Sequence, residues 1–125
     1  MSLLKTVGRG LLSAIFITSG ANTVMHPEGI AQAVEASGIP QARQATILNG
    51  ALMLLGGTAL AVDVLPKLAS LTLIGTMIPT TLLGHPFWKE DDPANRTGQR
   101  IHFMKNLAMI GGLILVLFER DEDQG

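Results

Sequence analysis

Residues 44–62, QATILNGALMLLGGTALAV, run without a single Asp, Glu, Lys or Arg. A helix needs about 20 predominantly apolar residues to cross the ~30 Å hydrocarbon core of a bilayer. This stretch therefore reads as a membrane crossing. Its neighbours repeat the pattern: no charged residue occurs from Gly10 to Pro27 or from Leu68 to Trp88. A further largely apolar run spans residues 101–118, with Lys105 one turn inside it. Only 15 % of the chain is charged and its mean hydropathy is +0.38. A soluble domain carries about a quarter charged residues.

The expected fold is all-α: an integral membrane four-helix bundle forming a single domain over residues 1–125. The transmembrane helices are expected near 7–25, 43–62, 67–84 and 101–118. The first run also fits a signal peptide, with Lys5 and Arg9 before a short apolar stretch and the small residues Ser19-Gly20-Ala21. The other runs make the chain membrane-bound either way. Between the first two crossings, Glu28, Gln32 and Glu35 alternate with Ile30, Ala31, Val34 and Ala36. That spacing suits a short amphipathic helix at the membrane surface. Gly38 offers a left-handed cap and Pro40 blocks continuation. Asp63 and Pro66 mark a tight turn, and residues 85–98 read as a polar loop.

Glycines recur inside the crossings, among them Gly20, Gly50, Gly56, Gly57, Gly75, Gly111 and Gly112. In a bilayer small residues let helix backbones approach closely. Pro79 is expected to kink the third crossing, with Thr80 and Thr81 placed to satisfy freed carbonyls. Asn22 and Asn49 suit interhelical hydrogen bonds.

The net charge of −1 leaves no basic stripe for nucleic acid. The chain has no cysteine, which removes disulfides, thiol catalysis and Cys-held metals within it. Neither a phosphate-binding loop nor a dinucleotide fingerprint is present. The sharpest polar signal is Arg100-Ile101-His102-Phe103-Met104-Lys105-Asn106. On a helix His102, Lys105 and Asn106 share one face. A lysine one turn inside a membrane helix is costly unless paired, hydrated or able to snorkel. Two readings follow. In one, Lys105 holds a carbonyl or anionic group, His102 moves a proton and Asn106 orients the ligand, as suits a quinone or a lipid headgroup. In the other, Lys105 anchors the helix at the interface. His85 falls at the same membrane edge as His102 and joins the candidate ligand-binding group, and Phe87 and Trp88 suit an aromatic belt. Zinc normally takes at least three protein ligands; His26 shares that edge, which leaves a three-His site open, but no carboxylate is fixed beside the three and no metal site is expected.

These residues together make the sequence similar to the DoxX family of small four-helix membrane proteins. The resemblance runs from about Arg9 to Leu117. It rests on Ile15-Phe16-Ile17-Thr18-Ser19-Gly20, Ser37-Gly38-Ile39-Pro40, Gly56-Gly57, His85-Pro86-Phe87-Trp88 and, most of all, His102-Phe103-Met104-Lys105-Asn106-Leu107 with Gly111-Gly112. Many relatives carry a Glu shortly before the Gly-Gly pair of helix two, where this chain reads Ala51-Leu52-Met53-Leu54-Leu55. The resemblance implies a four-helix membrane fold. It also implies an association with thiosulfate:quinone oxidoreductase activity and membrane redox complexes.

The function expected is that of a quinone-contacting subunit of a membrane redox complex, without independent catalysis. The alternatives are a non-enzymatic assembly or partner-docking subunit, and a small transporter or lipid-binding protein. Partners are the lipid bilayer and redox-complex subunits, with a homo-oligomer also open. The expected location is the cell membrane, multi-pass. Four crossings place both termini on one side. Positive charge is nearly balanced across the two sides, and the first helix, which often sets orientation, favours cytoplasmic termini.

Overall fold

The computed structural model describes residues 3–84 and 87–119, and every described element is helical. In chain order these are α1 (Leu3–Met25), α2 (Glu28–Ala36), α3 (Ala42–Ala61), α4 (Pro66–Gly84) and α5 (Pro93–Leu117). A single 3-10 turn, Phe87–Lys89, precedes α5.

Local chemistry sets the breaks. The Ser37 and Gly38 amides close α2 onto Val34 O and Glu35 O. Gly38 takes φ +85°, the left-handed cap its sequence offered. Between α3 and α4 the turn needs positive φ at Asp63 and Leu65. Pro66 then opens α4, where a fixed φ suits the first helical turn.

The last helix begins earlier than its hydropathy suggests. Asp92 is the residue before the helix and Pro93 takes the first helical position. Proline costs little there, because the first amides of a helix have no intrahelical acceptor. Residues 93–100, polar and expected as loop or helix edge, are thereby the first two turns of α5.

Among the described residues three helices, α3, α4 and α5, are long and apolar enough to cross a membrane. α1 has the length, at 23 residues. It is outside that group, and it carries Lys5, Arg9 and several hydroxyl and amide residues. The helix surfaces fit lipid as solvent: Leu11, Leu55, Leu71 and Leu115 are each more than half exposed. Polar side chains turn inward instead, with Ser13, Ser70, Thr76 and Asn106 buried. This is the distribution a membrane protein adopts, since hydrocarbon offers no hydrogen bonds.

The helices pack in series. α1 lies most extensively against α3, α3 against α4, and α4 against α5, while α2 folds back on α3 and α4. Phe16, Met53, Leu60, Leu73, Met77 and Leu113 form the apolar core. The α1–α3 contact depends on Gly20 and Gly50. A Cβ at Gly20 would sit 2.7 Å from Gly50 O, and one at Gly50 would sit 2.9 Å from the Thr23 side chain. Gly57 meets Phe16 in the same way, and Gly56 meets Leu73 of α4. Gly10, Gly75 and Gly111 face open space, so close packing does not account for them. Gly112 is in ordinary contact with Leu12, which brings α5 beside α1.

Pro79 lies within α4, and the helix continues to Gly84. Thr80 Oγ1 donates to Thr76 O at 2.8 Å. The carbonyl that Pro79 deprives of its donor is Gly75 O, one residue earlier. Thr81 is engaged elsewhere, by α5.

Candidate functional site

Thr46, Asn49 and Met53 follow one another at three- and four-residue steps along α3, so they share a face. Ser19, Asn22 and Thr23 do the same on α1. Where these faces meet Pro79 and Thr80 of α4, a cavity of about 320 Å³ opens, with Ile30 and Val34 of α2 across one end. Its volume lies in the usual range of small-molecule sites. Its floor is buried, at Thr23, Thr46 and Met53, and its rim is exposed, at Asn22, Ile30 and Pro79.

The polar groups of this cavity are ordered by one chain of hydrogen bonds. Thr80 gives its hydroxyl proton to Thr76 O. Its oxygen then accepts from Asn49 Nδ2 at 3.0 Å. This fixes which way the Asn49 amide points, with nitrogen toward α4 and oxygen away from it. Thr46 is 3 % exposed, and its buried hydroxyl has no partner among the described residues.

A second, smaller cavity of about 90 Å³ lies between α1, α3, α4 and α5. It shares Ser19, Met53 and Thr80 with the first, and its far wall is formed by Lys105 and Asn106 of α5. Met53 of α3 lines both spaces.

The structure distributes the expected site residues as follows. Asn106 is buried and donates to Thr81 Oγ1 at 3.1 Å, tying α5 to α4. Lys105 borders the small cavity although the residue as a whole is exposed. His102 is exposed one turn earlier on α5 and borders neither cavity. His85 lies outside the described residues. Phe87, Trp88 and Phe103 stack edge to face with centroids 5.3–5.7 Å apart, fixing the turn before α5 onto that helix. Among the described residues no group of three or more His, Asp or Glu is placed to hold a metal. Asn49 makes the interhelical bond expected of it, whereas Asn22 is on the cavity rim.

Two features were not singled out from the sequence. One is the Thr46–Asn49–Met53 face, whose spacing was visible but whose α4 partners were not. The other lies at the opposite end of the bundle. Arg9, 9 % exposed, pairs with Asp63 in the α3–α4 turn and with Glu119 just after α5, the latter at 2.9 Å. Lys5 adds a second contact to Glu119 at 3.2 Å. Burial pushes the Glu119 carboxyl up, but hydrogen bonds from Arg9 and Lys5 outweigh it and hold the group below its ordinary value. In the sequence Arg9 stands only as part of the basic start of the first apolar run, and Glu119 follows the last one. Their pairing needs three chain segments that only the fold brings together.

A family model described as DoxX matches residues 4–86, which covers α1 to α4. α5, with His102, Lys105 and Asn106, lies beyond the matched residues. No curated protein and no solved structure matches the chain.

Proposed function

The chain belongs to the DoxX family, and from that premise we propose that it is a quinone-contacting subunit of a membrane redox complex, without independent catalysis. In this reading α1, α3, α4 and α5 all cross the cell membrane as a four-helix bundle. α2 lies at the surface as a short amphipathic helix, and both termini are cytoplasmic. The close α1–α3 packing at Gly20 and Gly50 supports counting α1 among the crossings.

The observation that carries the functional reading is Lys105 at the edge of an interior cavity with Asn106, Ser19 and Thr80. The Lys105 ammonium and the Ser19 hydroxyl are donors, and a quinone headgroup offers two carbonyl acceptors. His102, one turn away and exposed, is assigned to proton exchange with water, and His85 is kept as a further ligand contact on its sequence alone. Electrons have to come from a partner, since the chain has no cysteine and no dinucleotide motif. α5 is the least covered of the three apolar helices, which suits a face taken by another subunit.

The test is to purify the protein from its native membranes and analyse the extracted lipids by mass spectrometry. Quinone retained by the native protein and reduced in Lys105→Ala is the expected result. No quinone retained or bound, together with a silent Lys105→Ala, removes the reading.

A further inference from the structure

The larger cavity has a chemistry that a quinone does not use. None of the described residues lining it is charged. An ionised headgroup entering it would lose water without gaining a counter-charge, which is costly. Its ligand is therefore neutral. The hydrogen-bonding groups narrow the class further. Thr80 has its proton committed to Thr76 O and its oxygen to Asn49. Asn49 has its nitrogen committed to Thr80, which leaves the amide oxygen as an acceptor. Thr46 keeps a hydroxyl that both donates and accepts, buried and without a partner. Two other buried hydroxyls, Ser13 and Ser70, also lack partners but border none of the cavities described here. The unsatisfied hydroxyl thus belongs to a residue, Thr46, that lines a cavity of ligand size.

We propose that the cavity between α1, α3 and α4, closed at one end by α2, binds a neutral amphiphile with a hydroxyl headgroup, of the class of a long-chain alcohol or a monoacylglycerol. The hydroxyl donates to Asn49 Oδ1 and accepts from Thr46, while the chain lies along Ile30, Ile39 and Leu83. A quinone has acceptors only and would leave Asn49 unanswered. The site is therefore distinct in chemistry from the contact at Lys105, and it stands whether or not that contact binds quinone.

The experiment uses the whole protein in phosphatidylcholine nanodiscs, free of hydroxyl-bearing detergent. Three probes carry the same diazirine-labelled chain: dodecanol, its methyl ether and dodecanoate above its pKa. The alcohol is expected to label the Thr46–Met53 segment saturably, and unlabelled dodecanol to compete. The ether and the carboxylate are expected to label it about three- to tenfold less, the effect of one hydrogen bond on affinity. Thr46→Val keeps the side-chain volume and is expected to cut alcohol labelling by a similar factor. Labelling that does not saturate, or that is equal for all three probes on the native protein, overturns the proposal. So does Thr46→Val labelling at the native level.

Discussion

Asn106 of α5 donates to Thr81 of α4 across 3.1 Å, and both residues are buried. The bond makes Asn106 a structural link as well as a wall of the Lys105 cavity. Interhelical hydrogen bonds in membranes contribute about 0.6 kcal/mol on average and rarely more than about 1.7. Asn106→Leu is expected to lower stability by about 1 kcal/mol, read as a drop in the unfolding midpoint in detergent. Thr81→Val should cost about the same, and the double variant less than the sum. Additive losses would show that the pair is not coupled.

Gly20 and Gly111 are both helix glycines in apolar sequence, yet they should answer differently to alanine. A Cβ at Gly20 meets the Gly50 and Leu54 backbone at 2.7 Å, and backbone cannot step aside. Gly20→Ala is expected to destabilise by about 1–3 kcal/mol, the usual cost of overpacking. Gly111 has nothing within 4 Å. Gly111→Ala should stay within about 0.5 kcal/mol. Thermal midpoints of the two variants check this directly.

The Arg9–Glu119 pair makes stability depend on pH on the acid side. Glu119 binds its proton less readily in the folded chain than in the unfolded one. Its contribution is therefore fully present above its ordinary value of 4.5 and fades as pH falls through the lower folded value. The side chain is 20 % exposed, so solvent screening keeps the effect to about 1 kcal/mol. A Glu119→Gln variant should show a lower midpoint at neutral pH and a shallower decline below pH about 4.5. Parallel pH curves for the two proteins would contradict this.

Crossing number and orientation are open to cysteine labelling, because the chain has no cysteine of its own. Val64→Cys sits in the α3–α4 turn, while Ser37→Cys and Asp91→Cys sit at the other end of the bundle, and all three positions are exposed. An impermeant maleimide applied to intact cells should modify positions 37 and 91 and spare 64. Labelling of all three from outside would contradict four crossings.

Much of the fold was legible because hydropathy and punctuation agree. The charge-free runs mark α3 and α4, Gly38 and Pro40 mark the end of α2, and Asp63 with Pro66 marks the turn between α3 and α4. The start of α5 was not legible, because residues 93–100 are polar and only the proline position signals helix. The site was legible in part. Lys105 and Asn106 do border one cavity, but helical spacing alone does not tell that Asn106 points inward to Thr81 while His102 stays outside. The Thr46–Asn49 face was hidden for a different reason. Threonine and asparagine are common interhelical bonding residues, and only the α4 partner shows which of them is satisfied. The Arg9 cluster depends on contacts between residues far apart in sequence, which no local pattern encodes.

The proposed function rests on contact between Lys105 and a quinone. Binding of a short-chain quinone to the native protein and to Lys105→Ala, both in nanodiscs, tests it most directly. A hydrogen bond from a charged donor contributes about 1.5–3 kcal/mol. Saturable binding to the native protein is expected, with a loss of affinity of about tenfold or more in Lys105→Ala. Equal affinity for the two proteins, or no binding to either, would contradict it.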